Sequence, residues 1–415
     1  MRAPFTSAPR LVSAVVASLF AIGTCYSAEQ QPAAPAAPPK QPPVEQGTRA
    51  PEFEKSTLAP HAAKMTVTQP SEIPLDRLRL PPGFRVELWA HGMPGVRMMA
   101  RGDKGTIWAG TRVIGRVYEI KDDGKERTHR ILAEKLVQPN GVAFRDGSLY
   151  IAAIDKMYRY DGIEDNPNVK PVDLSAAFKL PPLVHHNWKF LAFGPDKKLY
   201  VPIGAPCNIC EPTAEYAQIR RYNPDGSGME IVARGVRNSV GFDFHPKTGE
   251  LWFTDNGRDW QAEDGPEDEL NRVSKVGENF GFPYCHANGV PDRDYPKADG
   301  CKGVTLPVIL MGPHTGSLGM RFYTGKMFPA EYNDAIFVSR RGSWNRSTKV
   351  GYDVVVVRAT ADGKGAKLTP FLTGFLDQKT NQFWGRPVDV LQMPDGSLLV
   401  SDEQNGAIYR VSYAR

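Results

Sequence analysis

One unit recurs along this chain: a turn followed by a short strand of aliphatic and aromatic residues. GTIWAGT at 105, GSLYIAA at 147, KKLYVPI at 197, GELWFTD at 249, DAIFVSR at 334 and GSLLVSD at 396 are six copies of it. An apolar segment ending in a turn precedes most copies, as in NGVAFRDG, LAFGPDKK, VGFDFHPKTG, GMRFYTG and VDVLQMPDG. Another apolar segment follows, as in GRVYEI, KMYRYD, QIRRYN, ELNRVS, YDVVVVR and GAIYRVS. The repeating pattern is strand, turn, strand, loop, strand. Spacings of roughly 42 to 85 residues are too uneven for a stacked solenoid but suit blades joined by loops of variable length. The pattern predicts an all-β chain folded as a six-bladed β-propeller over 75–415. GFRVELWA at 83–90 precedes the first copy and is expected to supply a strand to the last blade, closing the ring and hiding its edges. A pair of β-sandwiches accounts less well for six copies of one three-strand unit.

Composition agrees with many turns and a large core: 36 prolines, 39 glycines and 41% hydrophobic residues in 415. The net charge of +5 is spread among nearly as many acidic as basic residues, which argues against a nucleic-acid-binding surface. At the N-terminus, Arg2 and Arg10 flank the start of LVSAVVASLFAIG, an apolar run followed by small residues. Residues 1–28 are therefore expected to be an export signal, with a periplasmic or secreted destination. IGTC, ending at Cys25, faintly resembles a lipoprotein box and raises lipid tethering at Cys25 as an alternative. The Pro/Ala-rich stretch that follows, within 29–70, reads as an extended spacer that builds no core. Four further cysteines remain: Cys207 and Cys210 in CNIC, and Cys285 and Cys301 around a polar loop. An even number in an exported chain favours two local disulfides over a zinc or redox site.

A propeller carries its function where loops converge at one mouth of the central channel. VQPNG, VHHNW, VRNSVG, HTGSLG and WGRPVD stand ahead of the expected innermost strands. Their polar residues, His186, Arg237, Asn238 and Arg386 among them, would point at one axis. Singly, each reads as a strand cap, a surface arginine or a turn asparagine. Together they define a pocket.

Five stretches carry a family resemblance, in order, over about 75–415: HHNWKFLAFGPDKKLYV, RGVRNSVGFDFHPKTGELWFTDNG, DELNRV with GENFGFPYC, GSWNRS, and WGRPVDVLQMPDGSLLVSDEQNGAIYRV. The chain resembles the soluble quinoprotein glucose and sorbosone dehydrogenases, most of all the sorbosone dehydrogenase-like branch. That resemblance implies a propeller that binds pyrroloquinoline quinone (PQQ) and calcium and oxidises an aldose or sorbosone-like sugar by hydride transfer. The electrons would then pass to an external acceptor. It places the general base on His186, and His185 where the glucose enzymes have an acidic substrate contact. An imidazole titrates near neutrality and suits proton abstraction. The resemblance assigns cofactor binding to Arg237, Asn238, Arg386 and Arg341, with Arg346 competing for the last place; guanidinium suits the cofactor's carboxylates. In TDNGRD it assigns calcium to the backbone carbonyls of Gly257 and Arg258, so that the Arg258 side chain matters little. Asp268 and Asn271 either brace that loop or simply begin a strand. PNGVAFRDGSLYIA also resembles calcium-dependent lactonase propellers, and a non-catalytic binding propeller is a further alternative.

Overall fold

A computed structural model of the chain describes residues 44–414. The expected signal and Cys25 lie outside the described residues. Six antiparallel sheets of four strands form the body, and the third gains a fifth strand, Glu278–Asn279, paired in parallel. Numbering the blades along the chain, their first strands are Val96–Arg101, Gly141–Arg145, Ala192–Phe193, Phe242–Phe244, Ser317–Phe322 and Pro387–Gln392. In five of the six neighbouring pairs the first strands touch across the blade boundary, which places them innermost. The six sequence copies become the second strands, Ile107–Thr111, Ser148–Ala152, Leu199–Ile203, Leu251–Asp255, Ile336–Arg340 and Leu398–Asp402. Phe84–Ala90 pairs with Ala407–Tyr413, Phe84 opposite Tyr413, so the ring closes as expected.

The core is divided among the seams between blades. Trp108 of blade 1 stacks on Phe144 of blade 2 at 5.0 Å, and one apolar cluster joins residues of blades 4 and 5 from Trp252 to Val357. Both faces of a middle strand are therefore covered, and IWAGT, LYVPI, LWFTD and LLVSD are buried at every position. This explains why they read as unbroken apolar runs rather than alternating ones. Carboxylates lock some seams: Asp389 of blade 6 accepts from the Met99 amide of blade 1 at 2.8 Å, and Asp243 of blade 4 accepts from the Phe322 amide of blade 5 at 2.9 Å.

Two expectations need correction. The unit has four strands, because the outermost strand is half solvated and carries no apolar run; RTHRILA at Arg127–Ala133 is exposed over most of its length. The expectation of a spacer that builds no core over 29–70 also does not hold for its second part. Residues 29–43 fall outside the described chain, but 44–70 pack on the propeller, burying Ala50 and Phe53 against Trp260. The Pro/Ala composition hid this, since a few anchored side chains suffice to hold an extended segment to a preformed surface. Cys207–Cys210 and Cys285–Cys301 are disulfides. No helix among the described residues is long and apolar enough to cross a membrane.

Candidate functional site

A cavity of about 510 Å³ opens where the loops leading into the innermost strands meet. Arg97 from blade 1, Gln138 from the loop into blade 2, His186 into blade 3, Arg237 and Asn238 into blade 4, and His314 into blade 5 all line it. Arg386, leading into blade 6, lines an adjoining cavity of about 250 Å³ that shares Arg97, Arg112 and Arg341 with the first.

His186 sits in a tight turn at φ +49°, its ring 4.0 Å from that of His185 and 6.0 Å from that of Trp188. The turn needs Gly204 behind it, for a Cβ there would come within 1.9 Å of the His186 carbonyl oxygen. Burial, joined by the charges of His185, Arg237 and Arg112, holds His186 well below the ordinary imidazole value. His186 Nδ1 is buried without a hydrogen-bond partner, as is His185 Nε2. Burial and the same two arginines bring His185 down to about 4. Both rings are neutral at pH 7.

Arg237 is fixed from several sides. Its amide donates to Asp255 Oδ2 at 2.8 Å, Nε to the Asn208 carbonyl at 2.9 Å, Nη2 to Asn208 Oδ1 at 2.7 Å and Nη1 to the Asn256 carbonyl at 2.9 Å. Asn208 lies between the two cysteines of CNIC, so the disulfide-closed loop positions this arginine. Asn238 donates its amide to Asp255 Oδ1 at 2.6 Å, while its side-chain oxygen is buried and unpartnered. Beside them, the Gly257 amide donates to Asp268 Oδ1 at 3.1 Å, and Asp268 Oδ2 accepts from Ser317 N and Thr315 Oγ1, each at 3.0 Å. Asp268 thus braces the TDNGRD loop, whereas Asn271 donates to Glu269 at 2.8 Å. Among the described residues, no hydrogen bond ends on the carbonyl oxygen of Gly257 or Arg258. The Arg258 side chain does matter: fully buried, it pairs with Asp292 at 2.7 Å and Asp294 at 2.9 Å, tying the loop to the insertion that contains Cys285 and Cys301.

On the opposite wall, Arg341 pairs with Glu403, as does Arg97, and Arg386 lies 3.8 Å from the same carboxylate. Burial opposes ionisation of Glu403, but Arg341, Arg97 and Arg386 outweigh it and hold the group well below the usual carboxylate range. Arg346 instead bonds Asp264 at 2.7 Å and does not line the cavity, whereas Arg341 does. Among the described residues Arg112 has no ion-pair partner; its guanidinium lies 3.8 Å over the Trp188 ring and its Nε is buried and unpartnered. Arg97, Arg112, Glu403 and Asn208 escaped the sequence reading, whereas Gln138 stands in VQPNG. GVRMM at 95–99 is the blade-1 counterpart of VRNSVG and carries the signal for Arg97.

Fold and cavity together define a six-bladed propeller with an arginine-walled axial site. The chain belongs to the TrAA12-like family, whose model matches residues 78–414. It is 32% identical over 363 residues to an uncharacterized protein of Borreliella burgdorferi, covering 84% of this chain and 94% of that one. It is 27% identical over 272 residues to the pyrroloquinoline quinone-dependent pyranose dehydrogenase of Coprinopsis cinerea, covering 50% of this chain but 36% of that protein. Among solved structures, an iodide structure of Trichoderma reesei Carbohydrate-Active Enzymes Family AA12 aligns with a TM-score of 0.70 at 20% identity, over 81% of this chain and 98% of that one. The holo form of the Coprinopsis cinerea pyranose dehydrogenase PQQ domain aligns at 0.66 and 19% identity, over 81% and 97%.

Proposed function

We propose that this protein is a PQQ- and calcium-dependent sugar oxidoreductase. One observation carries the reading: among the described residues, Arg97, Arg341 and Arg386 share a single carboxylate, Glu403, and Arg112 has none. Desolvated cations without counter-charges are costly, so this wall demands a multiply charged anion. The three carboxylates of PQQ match it, and guanidinium suits planar recognition of each. Asn238, with its unpartnered oxygen, and Arg237, through its charge and remaining N–H, face the cavity from the other side. The relatives named pyranose dehydrogenase support an aldose or related sugar as donor.

The calcium reading also fits. No group of three His, Cys, Asp or Glu side chains among the described residues is arranged to hold a metal. The carbonyls of Gly257 and Arg258, free of hydrogen bonds, are hard oxygen donors of the kind calcium takes alongside ligand oxygens. Bound in this site, the quinone supplies the acceptor for the hydride that leaves the sugar carbon. His186 takes the hydroxyl proton: neutral and desolvated, its imidazole has a free ring nitrogen to receive it. Gly204 and the His185 ring keep it oriented. Two disulfides among the described residues support an oxidising compartment, and hence export by the segment 1–28.

The test is titration of apoprotein with PQQ, with and without a calcium chelator, following binding optically and dye-linked oxidation of aldoses. Saturable binding, weakened by chelator and accompanied by turnover, is the expected result. Absence of quinone binding would return the lactonase reading to first place.

A further inference from the structure

We infer that the N-terminal strap, residues 44–68, is a fixed wall of the donor subsite that restricts the enzyme to sugars of monosaccharide size. This rests on the sugar-oxidoreductase reading and names the size class of its donor.

The strap is fastened at both ends. At its start, the Asn208 amide donates to the Glu45 carbonyl at 2.9 Å, Ala50 N donates to the Trp260 carbonyl at 2.9 Å, and Phe53 sets its ring 5.1 Å from that of Trp260. At its end, Thr68 N donates to the Asn405 carbonyl at 3.2 Å and Thr68 Oγ1 to Asn405 Oδ1 at 2.7 Å. The first anchors belong to the loops of blades 3 and 4, the last to blade 6. The chain between them therefore crosses the mouth, and Leu58, Ala59, Pro60 and His61 line the 510 Å³ cavity from above. The crossing is held in place there: Leu58 packs on the Phe53–Trp260 cluster with Trp344, and His61 hydrogen-bonds Tyr352 Oη at 3.2 Å with its ring 4.8 Å from that of Phe383.

This wall is chemically unlike the one opposite. Arg97, Arg112, Arg341, Arg386 and Glu403 gather on the blade 6 and blade 1 side, whereas under the strap Trp260 and Trp344, rings 5.3 Å apart, and Leu58 form a mainly apolar surface, with the guanidinium of the strap's Arg49 4.1 Å over the Trp260 ring. Such a surface suits the C–H face of a sugar ring. A cavity of 510 Å³ lies toward the lower part of the range for one drug-sized ligand. Once a tricyclic quinone occupies the arginine side, space for one sugar ring remains, and the strap covers the direction in which a second would extend.

The experiment compares the wild-type chain with the double variant Leu58→Gly, Pro60→Gly, which removes the Leu58 packing but keeps the anchors at both ends of the strap, and with a second variant carrying a protease site at the exposed residues 54–55, cut after folding. The mono- and trisaccharides of one aldose series are measured for kcat/KM on the quinone-loaded protein. Binding is measured by tryptophan fluorescence from Trp260 and Trp344, a readout that needs no turnover. Quinone half-saturation is followed in parallel. Expected are a rise of about tenfold or more in trisaccharide binding and kcat/KM relative to monosaccharide, with quinone half-saturation within about twofold. An unchanged ratio in both variants overturns the inference, as does a change confined to quinone affinity. If the wild type oxidises no sugar, the oxidoreductase reading falls, and the fluorescence ratio still decides the role of the strap.

Discussion

Two corners of the cavity use the same backbone device and differ in charge. Asp255 ends the second strand of blade 4 and receives the Arg237 amide at 2.8 Å; Asp402 ends the second strand of blade 6 and receives the Arg386 amide at 2.9 Å. Each aspartate thereby turns an arginine toward the axis. Beyond that the corners diverge. Arg237 spends its fork on Asn208, with Asn256 and Asp259 around it, and is satisfied without any ligand. Among the described residues, the Arg386 guanidinium donates only to the carbonyls of Arg341 and Gly342, at 3.4 and 3.3 Å, and competes for Glu403 with two other arginines. The blade 4 corner is preassembled. The blade 6 corner sets three guanidiniums against one carboxylate.

The largest expected effect tests whether the corners hold the ligand while a third group does the chemistry. His186→Ala is expected to lower kcat by about two to four orders of magnitude, the range for a general base. Quinone half-saturation should stay within a few-fold. If affinity collapsed together with kcat, His186 would belong to the cofactor wall and the division of labour would fail.

The next compares the counter-ions. In Glu403→Gln, three buried arginines lose their shared carboxylate, which is expected to cost the apoprotein about 3–5 kcal/mol, measured by urea unfolding. Saturating PQQ should restore much of it. Asp259→Asn in the blade 4 corner should cost less, since Arg237 keeps its bonds to Asn208 and Asn256. Equal losses would show that the two corners carry charge alike.

A third measurement separates ligand recognition from scaffolding. Arg386→Lys keeps the charge and loses the fork, so quinone half-saturation is expected to rise about tenfold with kcat little changed. Arg237→Lys should also weaken quinone binding but, by releasing Asn208, lower the melting temperature as well. A pure affinity loss at Arg237 would mean that its fork serves the ligand rather than the CNIC loop.

Much of this contrast was legible in the residues. The second strands are covered on both faces, so each leaves an apolar run, and six such runs define the blades. His186, Arg237 and Arg386 stand at equivalent places ahead of innermost strands, which the repeat exposes. What stayed hidden depends on tertiary partners. Arg112 follows the second strand of blade 1 and gains meaning only through Trp188, far along the chain. Glu403 lies in a turn, SDEQNG, whose importance comes from arginines of blades 1, 5 and 6. The strap reads as spacer because its hold on the body is made by scattered single residues, Phe53, Leu58, His61 and Thr68, and a few backbone bonds.

The smallest effect concerns protons. Burial, reinforced by Arg386, brings His61 down to about 4 beside the blade 6 corner, and burial with Arg237 and Arg112 does the same to His185 across the cavity. Both are lowered partly by positive charge, so an anion placed among those arginines relieves the repulsion and raises both values. In the window between about 4 and the ordinary 6.5, the liganded protein then holds more protons than the free one. Linkage sets the sign: quinone affinity should strengthen as pH falls through this window, provided the quinone's own carboxylates stay ionised. Calorimetry in buffers of different ionisation enthalpy reads the uptake directly, at less than about one proton per site near pH 5.5. His61→Gln should remove the share belonging to the blade 6 corner and leave that of His185. An uptake unaffected by His61→Gln would place the anion's charge on the blade 4 side, reversing the assignment of the open corner.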